Sequence, residues 1–409
     1  MHLEMNHLAD ALQNNGAEKT LVALENITPA DRDRVQYLLN RGTLKTLTGD
    51  LQGAEADLQN AKQLSASLTA ASVSENLGAA TVNETLRSFA GSASERVIIH
   101  SILALNYLRQ GDLLAARVEM LQADITMRQL AQPNSHSGQL ASSHYLAGVI
   151  YELNNEYDNA MISYRHAAEL VDKRGLPMPA ALADSLLYLS QRNGLKQQYQ
   201  QYQQRFNRSA APLKADEYDI FVFYSDGVVS NKRQHLISVY SFQLQQNLAL
   251  ALPYYPPTNH QAQRLLISVN GKKTVTQTLE NINQLVREDL DAELPAITAT
   301  TLLRATAKYQ SVKQAQSKDE IAGLLLNLAT TFSETADRRS WNMLPANLQI
   351  ARIRVAKGQA IDVQDGRILN ELNQQQRFTI IDFKQSYSRV VVANSISRPA
   401  LLTINTPYQ

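Results

Sequence analysis

Cysteine is absent from the 409 residues. That removes disulfides, thiolate metal sites and cysteine nucleophiles together. A charge surplus is missing as well, with 39 Lys and Arg set against 38 Asp and Glu. Nucleic-acid binding calls for a basic excess to meet phosphates, so the balance argues against it. No run of ~18 apolar residues occurs, so no segment reads as a membrane span. Signatures of reaction chemistry are equally scarce. There is no G-x-S-x-G elbow, and no pair among the eight histidines has the H-E-x-x-H spacing. Asn270-Gly271-Lys272-Lys273-Thr274 glances at a phosphate-binding loop. However, Lys272 and Ile267 stand where that loop needs glycines, so the segment reads as a hairpin tip. Neither a cofactor nor a metal is expected.

What is present divides into two textures. Residues 1–210 carry 18 basic and 21 acidic side chains, and residues 211–409 carry 21 and 17. The first half is rich in Ala, Leu and Gln at a 3.6-residue period, the pattern of stacked helices. The second has short β-branched and aromatic runs broken by Gly, Pro and Asn. The helical pattern stops at Asn207–Pro212, which predicts a repeat domain over 1–211 and an α+β domain over 212–409.

The helical half repeats itself. Gly49-Asp50-Leu51 is followed by Ala54, Leu58 and Ala61; Gly111-Asp112-Leu113 by Ala116, Met120 and Ala123; Asn155-Glu156-Tyr157 by Ala160, Tyr164 and Ala167. Gly42, Ala104 and Gly148 stand seven residues before these turns, where small side chains let antiparallel helices approach. The spacing matches the tetratricopeptide (TPR) helix–turn–helix unit, with weaker half-matches around Gly16 and Gly194. A TPR-like stack offers a concave surface lined by the first helix of each pair. Ile98, Ser101, Leu105 and Leu108 would line it in the central repeat, and Ser142, Tyr145, Val149 and Glu152 in the next. This apolar lining fits an apolar segment of a partner protein or the chain's own second domain, the latter favoured because exposed apolar patches of this size are uncommon.

In the second half Tyr218–Tyr224 reads as a strand, followed by runs at Leu236–Phe242 and Leu248–Leu252. A hairpin is expected at Leu265–Thr278 about Asn270-Gly271. A helix with Ile282, Leu285, Val286, Asp289 and Leu290 on one face is expected to stop near Pro295. Further helices are predicted over Thr300–Gln316 and Asp319–Phe332, then strands at Gln349–Val355, Gln359–Val363, Phe378–Phe383 and Arg389–Ala393. The sum is a mixed sheet with helices on one face. Asp289, Asp291 and Glu293 read as a solvated helix face, and His100 and His144 as packing residues at equivalent repeat positions.

The segment from Glu334 to Asn347 is the densest in chemistry. Asp337, Arg338 and Arg339 can form a charge-assisted network beside Trp341, the one tryptophan. The segment reads as a helix exit locked into the core, and alternatively as a recognition site for an anionic partner group. Ala336-Asp337-Arg338-Arg339-Ser340-Trp341 through Leu344-Pro345-Ala346 resembles the A-D-x-R-S-W-x-x-L-P-A motif of a family of bacterial TPR-containing envelope lipoproteins. Asp31-Arg32, Gly91-Ser92, Tyr107 with Gly111, the strand to Gly227, Leu294-Pro295, and Arg304 with Lys308 extend the resemblance over almost the whole chain. It implies an exported protein tethered to the outer membrane by a lipidated cysteine, and it implies no reaction. Met1-His2-Leu3-Glu4 supplies neither that cysteine nor a signal core. The expectation is therefore a periplasmic protein whose precursor carries the anchor, or a cytoplasmic one if nothing was removed.

These observations favour a non-catalytic envelope scaffold. Such a scaffold would bind other envelope proteins in assembly of a secretion or surface-appendage machine, or in regulation of peptidoglycan synthesis. Two alternatives differ in class. One is a structural subunit that partners itself; the other is an enzyme with a site near Arg304, Lys308, Asp337 and Arg339.

Overall fold

The structure is a computed structural model describing residues 2–75, 88–242, 246–258, 260–269, 272–316, 335–356, 361–365, 379–382 and 389–396. Among these, no helix is long and apolar enough to cross a membrane.

The first half folds as antiparallel helix pairs of TPR type. After α1 (His2–Glu25) come α2 (Arg34–Thr48) with α3 (Leu51–Glu75) and α4 (Ala93–Arg109) with α5 (Leu113–Leu130). Then follow α6 (Ala141–Leu153) with α7 (Tyr157–Lys173) and α8 (Ala180–Arg192) with α9 (Lys196–Phe206). Every turn sits where the sequence places it. Gly49, Gly111 and Gly194 have positive φ, and Asn155 takes the same left-handed conformation at φ 62°. Gly16 breaks α1 in the same way, with φ 77°, so both weaker half-matches are turns.

Close approach within the pairs has a visible cause. A Cβ on Gly42 would lie 2.8 Å from the Leu58 side chain, and one on Gly148 would lie 2.5 Å from the Tyr164 ring. At the start of α4 a capping box closes: Ser92 Oγ accepts from Glu95 N, while Glu95 Oε2 accepts from Ser92 N at 2.8 Å.

Phe206 ends the last repeat helix and Glu217 opens the first strand, so the architecture changes within 207–216. The strands are β1 (Glu217–Asp226), β2 (Arg233–Ser241), β3 (Gln246–Tyr254), β4 (Leu265–Val269), β5 (Lys272–Val275) and β6 (Gln277–Asn281). After α10 (Ile282–Gln316) come β7 (Asn347–Ala356), β8 (Ile361–Asp365), β9 (Thr379–Asp382) and β10 (Arg389–Asn394). A mixed five-stranded sheet runs β6-β7-β1-β10-β9. Within it β1 is parallel to β10 and antiparallel to β7. The described residues also hold a three-stranded sheet β5-β4-β8 and a β2–β3 ribbon. Val269 pairs with Lys272 in the β4–β5 hairpin, as a two-residue turn requires. Asn270-Gly271 itself, and the helix expected over Asp319–Phe332, lie outside the described residues.

The helix expected to stop near Pro295 instead continues to Gln316. Pro295 faces solvent, where water can take up the carbonyl that proline leaves without a donor. Alternation along β1 buries both faces. Tyr218, Ile220, Val222 and Tyr224 pack with Leu265 and Ile267 of β4. Phe221 joins the core of the helical repeats together with Ile350 and Val390. The repeat helices therefore cover one face of the sheet.

Candidate functional site

The concave face of the repeats is filled by the chain's own sheet domain. In that face α4 lies against β9 and α10, α6 against β6, and α8 against β7. Of the residues expected to line an open groove, Ile98, Leu108, Tyr145, Val149 and Glu152 are buried. Leu105 is partly buried against the same core, and Ser101 Oγ meets Ser143 Oγ at 2.6 Å. The Tyr145 ring sits 5.9 Å from that of Phe223. The partner-binding reading of this lining is thus corrected: the chain's own sheet occupies the groove. Three polar junctions fasten this seam.

At the first junction Arg352 of β7 enters the concave face. Its Nη2 lies 2.7 Å from Glu152 Oε1, its Nη1 donates to Ser185 Oγ at 2.9 Å, and it also pairs with Asp219. The guanidinium packs between the rings of Tyr188 and Phe221, 4.8 and 4.7 Å from their centroids. Burial pushes the Glu152 carboxyl above its ordinary value against the pull of Arg352. Asp219 is also buried, yet Arg352 and Arg354 together hold it below the usual range. A cavity of about 550 Å³ opens beside this cluster, lined by Asp184, Arg208, Asp219, Arg352 and Arg354 among others. Its charges are matched: Arg208 forks onto Asp184, and Arg352 and Arg354 share Asp219.

The second junction belongs to α10. Asp289, expected on a solvated face, is 1% exposed. It accepts from Ser92 Oγ, Ser94 N, Ser94 Oγ and Ser137 Oγ at 2.7–2.9 Å, and from Gly138 N at 3.3 Å. The carboxylate thus sits at the start of α4, where the helix dipole favours an anion. Nearby Glu280 accepts from Ser142 N at 2.9 Å and from Arg174 Nη1 at 3.1 Å, with Glu288 as the second partner of that arginine.

The Asp337–Trp341 motif forms the third junction. Trp341 is fully buried; its Nε1 donates to Thr43 Oγ1 at 2.7 Å and its backbone N–H to Glu95 Oε1 at 2.6 Å. Arg339 reaches Asp337 at 2.6 Å, Asp33 at 3.2 Å and the Arg32 carbonyl at 3.0 Å. Asn342 bridges Asn6, Gln36 and Asn231, while Asn40 Oδ1 accepts from Met343 N. Residues 335–341 have no regular secondary structure, so the helix exit becomes an irregular latch threaded across α1, α2 and α4. A cavity of about 250 Å³ beside it is lined by Phe89, Lys232, Glu293, Asp337 and Arg339, among others. Burial works against the Lys232 ammonium, but Tyr255 first, then Asp337, Glu293 and Glu95, keep its pKa above the ordinary value.

Of the side chains an enzymatic site would need, Asp337 and Arg339 meet each other, while Arg304 Nη2 donates to Thr301 on its own helix; the Lys308 side chain lies outside the described residues. Arg338 lies between Asp337 and Arg339 in the same irregular stretch. His100 Nδ1 pairs with Glu119 Oε2 at 2.7 Å. Among the described residues no group of three His, Asp or Glu could hold a metal. Arg352 and Arg174 escaped the sequence reading, and Asp289 was read as facing water when it is buried. The S-x-x-E box at Ser92 was an available sign that this helix start is specified in detail.

No family model matches the chain, and neither does any curated protein. Among solved structures, the apo form of RapI is 13% identical with a TM-score of 0.34, and the match covers 46% of this chain and 47% of RapI. The chain thus spans about half of RapI's own length. A Podospora anserina putative kinesin light chain with TPR-like repeats is 17% identical at TM-score 0.35, covering 50% of this chain and 91% of that one. BtubC from P. vanneervenii is 18% identical at TM-score 0.33, covering 52% and 85%.

Proposed function

We propose that the protein is a non-catalytic scaffold of the bacterial cell envelope, in which TPR-like repeats and a sheet domain act as one body presenting its outer surfaces to partner proteins. The observation that carries this reading is the seam. The charged groups lining the larger cavity are matched with one another, and at the smaller one Arg339 is held by Asp337. Groove residues such as Tyr145 and Glu152 then serve partners indirectly, by holding the sheet in place. The periplasmic, outer-membrane-tethered location rests on the A-D-x-R-S-W-x-x-L-P-A resemblance. A role in a secretion or surface-appendage machine, or in peptidoglycan synthesis, would follow from which proteins are bound.

Crosslinking capture from native envelope with tagged full-length protein tests the proposal, using an Arg352→Ala variant to loosen the seam. The expected result is a defined set of envelope proteins held by the native chain and reduced with the variant. Recovery of the protein alone, or of nothing, removes the envelope-scaffold reading.

A further inference from the structure

Outward faces of the repeat stack differ sharply in polarity. On α7 the exposed positions are Asp158, Asn159, His166, Glu169, Asp172 and Lys173, with Ile162 the one apolar exception; on α9 they are Lys196, Gln197, Gln200, Gln201, Gln204 and Arg205. On α5 the exposed residues from 114 to 125 are all apolar: Leu114 (68%), Val118 (48%), Leu121 (39%) and Ile125 (53%). Their spacing of four, three and four residues is the d-a-d-a seam of a coiled coil. Nothing in the α4–α5 pair needs this stripe, because Ala116, Met120, Ala123 and Met127 already bury the inner face.

We propose that α5 is a homodimerisation helix, packing antiparallel on α5 of a second copy about a two-fold axis near residues 119–120. A second copy fits because the apolar stripe complements itself under a two-fold axis. An antiparallel pair sets Leu114 against Ile125 and Val118 against Leu121, so each layer joins two apolar side chains. The next d position is Arg128, whose side chain is 77% exposed and pairs with Asp124 one turn earlier at 2.6 Å. It falls over Gly111, where an added Cβ would meet nothing within 4 Å, and beside the exposed carboxylate of Asp112. Arg117 and Asp124 occupy g positions on one edge of the stripe, where Arg117 forks onto Glu156 and Asp124 pairs with Arg128 of its own helix. The antiparallel arrangement brings each near the other's counterpart, opposite in sign. A parallel pair would instead stack Arg128 on Arg128. Antiparallel helices also place opposite dipole ends together. Ile162 of α7, at the repeat position equivalent to Val118, is exposed as well. A single helix pair buries less than a standard interface, so the dimer is of roughly micromolar affinity.

Sedimentation equilibrium of the full chain, from about 1 to about 200 μM, reads the proposal directly. The expected mass rises from 45.5 kDa toward twice that value. Val118→Glu with Leu121→Glu holds the protein at monomer mass over the whole range, with an unchanged far-UV spectrum, since both positions face solvent. Orientation has a separate readout, because a chain without cysteine gives engineered thiols no competitors. With a short bis-maleimide, Leu114→Cys plus Ile125→Cys in one chain yields covalent dimer at least ten-fold faster than either single variant. A mass of one protomer at every concentration overturns the proposal, as does a dimer indifferent to the glutamates. Single variants that crosslink as fast as the pair overturn the antiparallel arrangement. Dimerisation through α5 stands or falls independently of envelope capture, which concerns other proteins.

Discussion

At the residue scale, burial decides which charges matter. His144 sits in the interior of α6, its ring 5.2 Å from that of His166. Burial first, then His166 and Arg128, depress its pKa from 6.5 to about 3. The folded protein thus holds His144 neutral where the unfolded chain protonates it. Stability from this residue is complete above pH 6.5 and is lost as pH falls toward 3. At pH 5 the loss is about 2 kcal/mol. His144→Gln flattens the decline in urea midpoint between pH 7 and pH 5; an unchanged decline assigns the acid sensitivity elsewhere. That His144 packs between helices was legible from its repeat position. The role of Asp289 was not, because its partners Ser92, Ser94 and Ser137 lie more than 150 residues away in sequence. A helix-period pattern cannot tell a carboxylate facing water from one facing another helix's N-terminus.

At the scale of the element, what sequence reveals best is the repeat turn and the small residue seven positions before it. Both are local, so their spacing survives without knowledge of the fold. Gly148 shows what the small residue is for. Its missing side chain leaves room for Tyr164, which is fully buried and donates its hydroxyl to Glu152 Oε2 at 2.9 Å. Gly148→Ala therefore strains the α6–α7 pair at the inner end of the Arg352 cluster and costs about 1–3 kcal/mol. Denaturant unfolding checks this; a cost within 0.5 kcal/mol would mean the helices can separate without penalty. Pro295 is the opposite case. It reads as a stop in any helical pattern, and only its position on the solvent side of α10 lets the helix pass through.

Across the whole molecule, the seam makes two textures of sequence into one cooperative unit. Trp341 lies at that seam and is the chain's single tryptophan, so its fluorescence reports docking while far-UV circular dichroism reports mainly the repeats. The two thermal transitions should coincide. A fluorescence change well below the loss of helix would show that the sheet domain undocks first and that the seam is not cooperative. The two-part division and the TPR-like stack were legible because they rest on periodicity. Pairings such as Glu152 with Arg352 were not, because each residue alone looks like an ordinary surface charge. Apolar residues at Ile98, Leu105 and Tyr145 did carry the information that something covers the concave face.

The location of that cover has a consequence for synthesis. Glu152 leaves the ribosome about 200 residues before Arg352, an interval of ~10–40 s at ordinary elongation rates. For that time the repeats can stack, yet their inner surface stays wet, and Tyr145 and Val149 are open to any apolar segment nearby. Nascent chains of this protein should accordingly be clients of holding chaperones from the moment α6 emerges until β7 arrives.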